Sequence, residues 1–130
     1  MIKRQATIVL FAVATGLLLT GCDNKSQKNK TQAAIDPVPL LQKDAAALER
    51  GKAICVGTCG AYCHKMTEVP SDAPYLFDCT WLHGDSDQEI FNTISHGVSK
   101  TRMVPFAGAL PDEDIWKIVA YLKSEAKCPK

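Results

Sequence analysis

Residues 59–64 read Cys59-Gly60-Ala61-Tyr62-Cys63-His64: two thiols four positions apart, with a histidine directly after the second. On a helix, positions i and i+4 share a face, so both sulfurs project to one side and the imidazole follows one position on. Gly60 lowers the cost of a bulge or a distorted turn between them. A disulfide between Cys59 and Cys63 leaves His64 without a role. A tetrahedral zinc site needs four ligands, and His83 and His96 stand alone, with no second Cys/His pair to complete one.

Two thiols and an adjoining histidine suit the covalent attachment of a haem, whose signature is Cys-x-x-Cys-His. The thiols reach two vinyl groups on one edge of the porphyrin while the histidine swings beneath the iron. Here one more residue separates the thiols. Pairing Cys55 with Cys59 instead puts Gly60 in the following position, and glycine cannot ligate iron. The expected cofactor is therefore one haem c, bound through Cys59 and Cys63, with His64 on the iron.

The 130 residues contain no repeat, and 15 basic against 14 acidic side chains leave a formal net charge of +1. That balance, with the basic residues scattered, offers no footprint for nucleic acid. The N-terminus carries Lys3 and Arg4, an apolar run through Ile8 to Val13, and the ending Leu17-Leu18-Leu19-Thr20-Gly21-Cys22. This is a secretory pattern, its apolar stretch shorter than the roughly 20 residues that span a bilayer. Leu-Thr-Gly-Cys resembles the bacterial lipobox, which implies acylation of Cys22, and Asp23 resembles the signal that retains a lipoprotein in the inner membrane. Residues 1–21 are expected to be a signal peptide, 22–43 a lipid-anchored polar tether and 44–130 the folded domain.

Three helices are legible in that domain, over residues 44–62, 87–97 and 112–126, and no stretch alternates with period two. Ser86 with Glu89 forms a capping box and Gly97 closes the second helix. Pro111 followed by Asp112, Glu113 and Asp114 opens the third, with Ile115, Ile118, Val119 and Leu122 as its inward face. The expected fold class is all-α, with about three main helices around one covalently bound haem. A domain this size has only a modest apolar core, so the cofactor supplements it.

Gly51-Lys52-Ala53-Ile54 leading into the attachment motif, and Ile115-Trp116-Lys117-Ile118-Val119-Ala120-Tyr121-Leu122-Lys123 near the end, resemble the first and last helices of class I c-type cytochromes. The resemblance covers the whole folded domain and departs from the family pattern in the extra residue of the motif. It implies that the two helices cross at Gly51 and Tyr121. It also implies a methionine iron ligand in the loop Thr101-Arg102-Met103-Val104-Pro105-Phe106, and a proline, matched by Pro74, whose carbonyl accepts from the proximal histidine. For the sixth position Met66 is too near His64 to cross the ring, whereas His83, His96 and a purely core-filling role for Met103 remain open.

Of the remaining thiols, Cys79 and Cys128 are the favoured disulfide pair, locking the C-terminus. Cys55 with Cys128 is the rival, and Cys55 otherwise reads as a buried small apolar residue. His/Met ligation closes both axial sites and suits an electron carrier, not an enzyme. Expected partners are redox proteins: a dehydrogenase or quinol-oxidising complex as donor, and a terminal oxidase or another cytochrome as acceptor. The site is the periplasmic face of the inner membrane. Two alternatives are a gas- or peroxide-reactive haem enzyme or sensor, and a fixed cytochrome subunit of a membrane respiratory complex.

Overall fold

The computed structural model describes residues 35–128, so the expectations for residues 1–21, for Cys22 and Asp23 and for most of the tether lie outside the described residues. Within that range the chain is helical, with no strand and a single isolated bridge between Ala107 and Leu110. The order is α1 (Val38–Leu41), α2 (Ala45–Ile54), a π-helical segment (Cys55–Gly60), α3 (Asp87–His96) and α4 (Asp112–Glu125).

α2 and α3 start where N-cap side chains take up orphan backbone amides. Asp44 caps α2 by accepting from the amides of Ala46 and Ala47 at 2.9 and 3.2 Å. The Ser86–Glu89 box is complete in both directions at the head of α3. Gly97 ends that helix at φ 67°, ψ −170°, a conformation that costs a residue with a Cβ heavily.

α4 is the centre of the core. Ile115, Ile118 and Val119 have no accessible surface and Leu122 very little. α2 crosses α4 so closely that a Cβ at Gly51 would stand 2.1 Å from the carbonyl oxygen of Lys117. One turn further on, Tyr121 is buried and meets Phe77 edge-on at 5.9 Å. On the other side Trp116 stacks on Phe91 of α3 at 4.2 Å.

The structure departs from the sequence reading before Asp44. Pro37–Leu41 turn into the fold as α1, and Val38 is buried to 1% exposure in the core. Fully burying a valine is worth about 1.5–3 kcal/mol, which offsets part of the cost of ordering a four-residue turn that no periodicity announces. The folded unit therefore starts before residue 44.

Arg50 of α2 reaches Asp114 of α4 with Nη2 2.7 Å from the carboxylate, and Lys117 stands 3.5 Å from the same group. The hydrogen bond from Arg50 holds the Asp114 carboxyl below the usual carboxylate range, against the opposing effect of burial. A depressed folded-state pKa means stability present above the ordinary carboxylate range and lost as pH falls through the folded value. Asp114→Asn is expected to lower the thermal midpoint at neutral pH and to shrink the loss of stability between neutral and acid, measured by melts across pH. An acid limb identical to wild type contradicts the assignment.

Candidate haem site

Inserting one residue between the two thiols shifts everything after it by about 100° on an α-helix. The chain absorbs the insertion by widening: Cys55–Gly60 form a π segment, whose i→i+5 bonds take more residues per turn. The amide of His64 bonds the carbonyl of Cys59 at 2.8 Å, five residues back, while that of Cys63 bonds the same oxygen at 3.1 Å. Gly60 is packed over by Met66, whose sulfur would lie 2.6 Å from a Cβ there. The helix expected over 44–62 is thus present, with six residues of it in the wide form instead of a single distorted turn.

One cavity of about 630 Å³ gathers Cys59, Cys63, His64, Pro74 and Met103. Ile94 of α3, Phe106, and Ile118 and Leu122 of α4 supply apolar walls. His64 is buried, and its Nδ1 lies 2.8 Å from the carbonyl oxygen of Pro74. A carbonyl only accepts, so Nδ1 carries the proton and Nε2 keeps the lone pair needed by a metal. Apolar walls, two thiols together, an oriented imidazole and a thioether fit a flat, largely apolar macrocycle with an iron at its centre.

Met103 is held by backbone contacts from α3's end. Its amide donates to Thr101 Oγ1 at 3.1 Å and its carbonyl accepts from Val98 at 3.0 Å. The close approach depends on Gly97, where a Cβ would stand 2.4 Å from the Met103 carbonyl oxygen. Met66 does not line the cavity. His96 is exposed, its Nδ1 2.9 Å from the carbonyl of Asn92 on its own helix, and it too lies off the cavity. His83 is exposed and lines the cavity.

The other thiols separate by environment. Cys79 and Cys128 are joined by a disulfide with Cα atoms 5.3 Å apart. Cys55 is buried without accessible surface, so the rival pairing with Cys128 is not formed. The Cys55 thiol is pushed well above the usual thiol range by its hydrogen bond with Cys59 and by burial, and the same bond pulls Cys59 down. Cys59 is thus the more reactive of the two, since the thiolate is the nucleophile. Among the described residues no cluster of three or more His, Cys, Asp or Glu is arranged to hold a metal ion.

All five of residues 80–84 line the cavity, and of these sequence reasoning named only His83, missing Thr80, Trp81, Leu82 and Gly84. Trp81 and Leu82 follow no period there, and only the fold brings them to the site.

Gly97→Ala is expected to cost about 1–3 kcal/mol, because it demands both a left-handed alanine and a retreat of the Met103 carbonyl. Urea unfolding with an unchanged slope and a lowered midpoint checks this. An unshifted midpoint would show that the Met103 loop does not need the glycine.

The family described as cytochrome C oxidase, cbb3-type, subunit III matches residues 46–122. The cbb3-type cytochrome c oxidase subunit FixP of Sinorhizobium medicae is 31% identical over 129 residues, covering 88% of this chain. The chain spans 44% of that relative's length. The crystal structure of cytochrome CL from the marine methylotroph Methylophaga aminisulfidivorans superposes with a TM-score of 0.60 at 22% identity, over 82% of this chain and 73% of the other. It shares the fold.

Proposed function

The chain belongs to the cbb3-type cytochrome c oxidase subunit III family of c-type cytochromes, and we propose that it is a membrane-tethered carrier of single electrons with its one haem in the 630 Å³ cavity. Haem electron transfer through a covalent c-type haem is the property of the family. When bound, the haem supplies a one-electron ferric/ferrous couple.

The observation that carries the assignment is the convergence of Cys59, Cys63, His64, Pro74 and Met103, which span 45 positions of sequence, on one cavity. Cys59, in the π segment, and Cys63, just after it, would hold the haem's edge through thioether bonds. The Pro74 carbonyl holds the Nδ1 proton of His64, which leaves Nε2 free to hold iron as a strong donor when the haem is bound. Met103 would hold the iron from its own side of the cavity, where a soft thioether would favour the ferrous state. Ligation by both His64 and Met103 would favour electron exchange over substrate binding, which is the ground for preferring the carrier to the gas- or peroxide-reactive reading.

Met103→Ala is expected to abolish the sulfur-to-iron charge-transfer band at the long-wavelength end of the oxidised spectrum. It should also lower the midpoint potential by on the order of 100 mV. An unchanged band and potential would pass the sixth position to another side chain, with His83 tested first because it lines the cavity.

Acylation at Cys22 would place the domain on the periplasmic face of the inner membrane, where quinol-oxidising complexes, dehydrogenases and terminal oxidases also work. Residues 23–36, about 14 positions between Cys22 and α1, would as a random-coil linker give a reach of roughly 20 Å and keep the local concentration near the millimolar range. Residues 44–130 carry nine basic and twelve acidic side chains, which favours a partner with a basic docking patch. The family description and FixP's printed name, a subunit of a cbb3-type oxidase, support a second reading in which the domain is a fixed subunit of such a complex. Density-gradient fractionation separates these. Wild type should band with the inner membrane without an oxidase, and Cys22→Ser should release it. Stoichiometric co-purification with an oxidase core favours the second reading, and a soluble wild type contradicts the anchor.

A further inference from the structure

Residues 80–84 form one wall of the cavity without any regular secondary structure to stiffen them. Both ends of this wall are tied to α4 or to its C-terminal tail. After the wall, Lys123 Nζ donates to the carbonyl of Asp85 at 2.9 Å and lies 3.5 Å from the Asp87 carboxylate. Before it, the amide of Lys127 donates to the carbonyl of Phe77 at 2.9 Å, and Cys79 is bonded to Cys128. On the leading side, the tie that adjoins the wall is the covalent one. Cys79 sits at φ 65°, a left-handed conformation that a residue with a Cβ adopts at a cost of about 1–2 kcal/mol, so release of the bridge favours rearrangement.

The bridge is also reachable. Cys128 is exposed and Cys79 half-buried, whereas Cys55 is sealed in the core. An external thiol can therefore attack this disulfide at the surface.

We propose that the Cys79–Cys128 bridge is a redox-opened clasp on the haem cavity: closed, it holds residues 80–84 over the cavity, and opened by a dithiol it releases that wall to solvent. The proposal rests on the reading that this cavity is the haem's. The step is a thiol–disulfide exchange. A thiolate of the dithiol attacks one sulfur of the bridge, the other leaves as a thiolate and takes a proton, and the second thiol of the reagent resolves the mixed disulfide. Two electrons and two protons pass from the dithiol, which ends as its own disulfide, to the two cysteines. A one-electron carrier does not complete this exchange, so the reductant is a dithiol protein or reagent of the same compartment.

Opening the wall admits water and small bases to the iron. Water stabilises the charged ferric form, so the midpoint potential falls, and a sixth-site competitor such as imidazole gains access. Trp81, part of the wall, moves away from a strong fluorescence quencher.

The experiment uses the full-length haem protein in a Trp116→Phe background, so that Trp81 is the only indole. The bridge is opened with dithiothreitol, its thiols are capped with iodoacetamide, and the iron is reoxidised with ferricyanide. Mass spectrometry shows that Cys79 and Cys128 are capped and the thioethers intact. The expected result is a several-fold rise in Trp81 fluorescence, at least tenfold tighter imidazole binding to the ferric form and a lowered midpoint potential, with helical circular dichroism retained. Cys79→Ser with Cys128→Ser should reproduce these values, and reclosing the uncapped thiols with oxidised glutathione should restore the originals. An open bridge with all three readouts unchanged overturns the clasp, as does a fall in thermal stability alone or a loss of helix on opening. Absence of covalent haem in the starting protein, read by its pyridine haemochrome spectrum, or haem attached away from Cys59 and Cys63, overturns the reading of the cavity as well.

Discussion

A Cβ at Gly51 would lie 2.1 Å from the carbonyl oxygen of Lys117, so α2 and α4 meet backbone to backbone, and no other side chain fits at that point. This approach sets the depth at which the first helix enters the core. It places Cys55 in full burial and, one turn beyond, brings Cys59 to the rim of the cavity. It also lets Arg50 reach Asp114 and Tyr121 reach Phe77, which fasten the crossing on either side.

From that fixed point the attachment segment has to carry one residue more than a Cys-x-x-Cys-His helix. Widening the turn over Cys55–Gly60 absorbs the excess, and no kink propagates into α2. The result is a pair of thiols, Cys59 and Cys63, on the cavity, with Cys55 behind them as a buried packing residue. The opposite wall is built from a different constraint. Gly97 allows Met103's carbonyl to sit against the end of α3, so the thioether's loop is held by backbone contacts and not by a helix of its own.

Much of this was legible in the residues. Ser86 and Glu89 announced the head of α3, the acids after Pro111 the head of α4, and the spacing of Ile115, Ile118, Val119 and Leu122 its buried face. These are local signals, set by capping chemistry and by the helical period. α1 was not legible, because four residues that follow Pro37 and include Pro39 carry no period, and Val38 finds its burial only in the assembled core. The wall at residues 80–84 was hidden for a related reason. Its position depends on ties to Lys123, Lys127 and Cys128, some 40 or more residues away, and its own sequence encodes no preference for that place.

The site stands or falls on which sulfurs hold the haem. Peptide mapping by mass spectrometry of the purified full-length chain, digested without reduction, decides it. The peptide containing the π segment should carry one haem through both Cys59 and Cys63, with Cys55 recovered as an unmodified thiol. Haem bound through Cys55, or a chain whose Cys59 and Cys63 are free or joined to each other, would contradict the assignment.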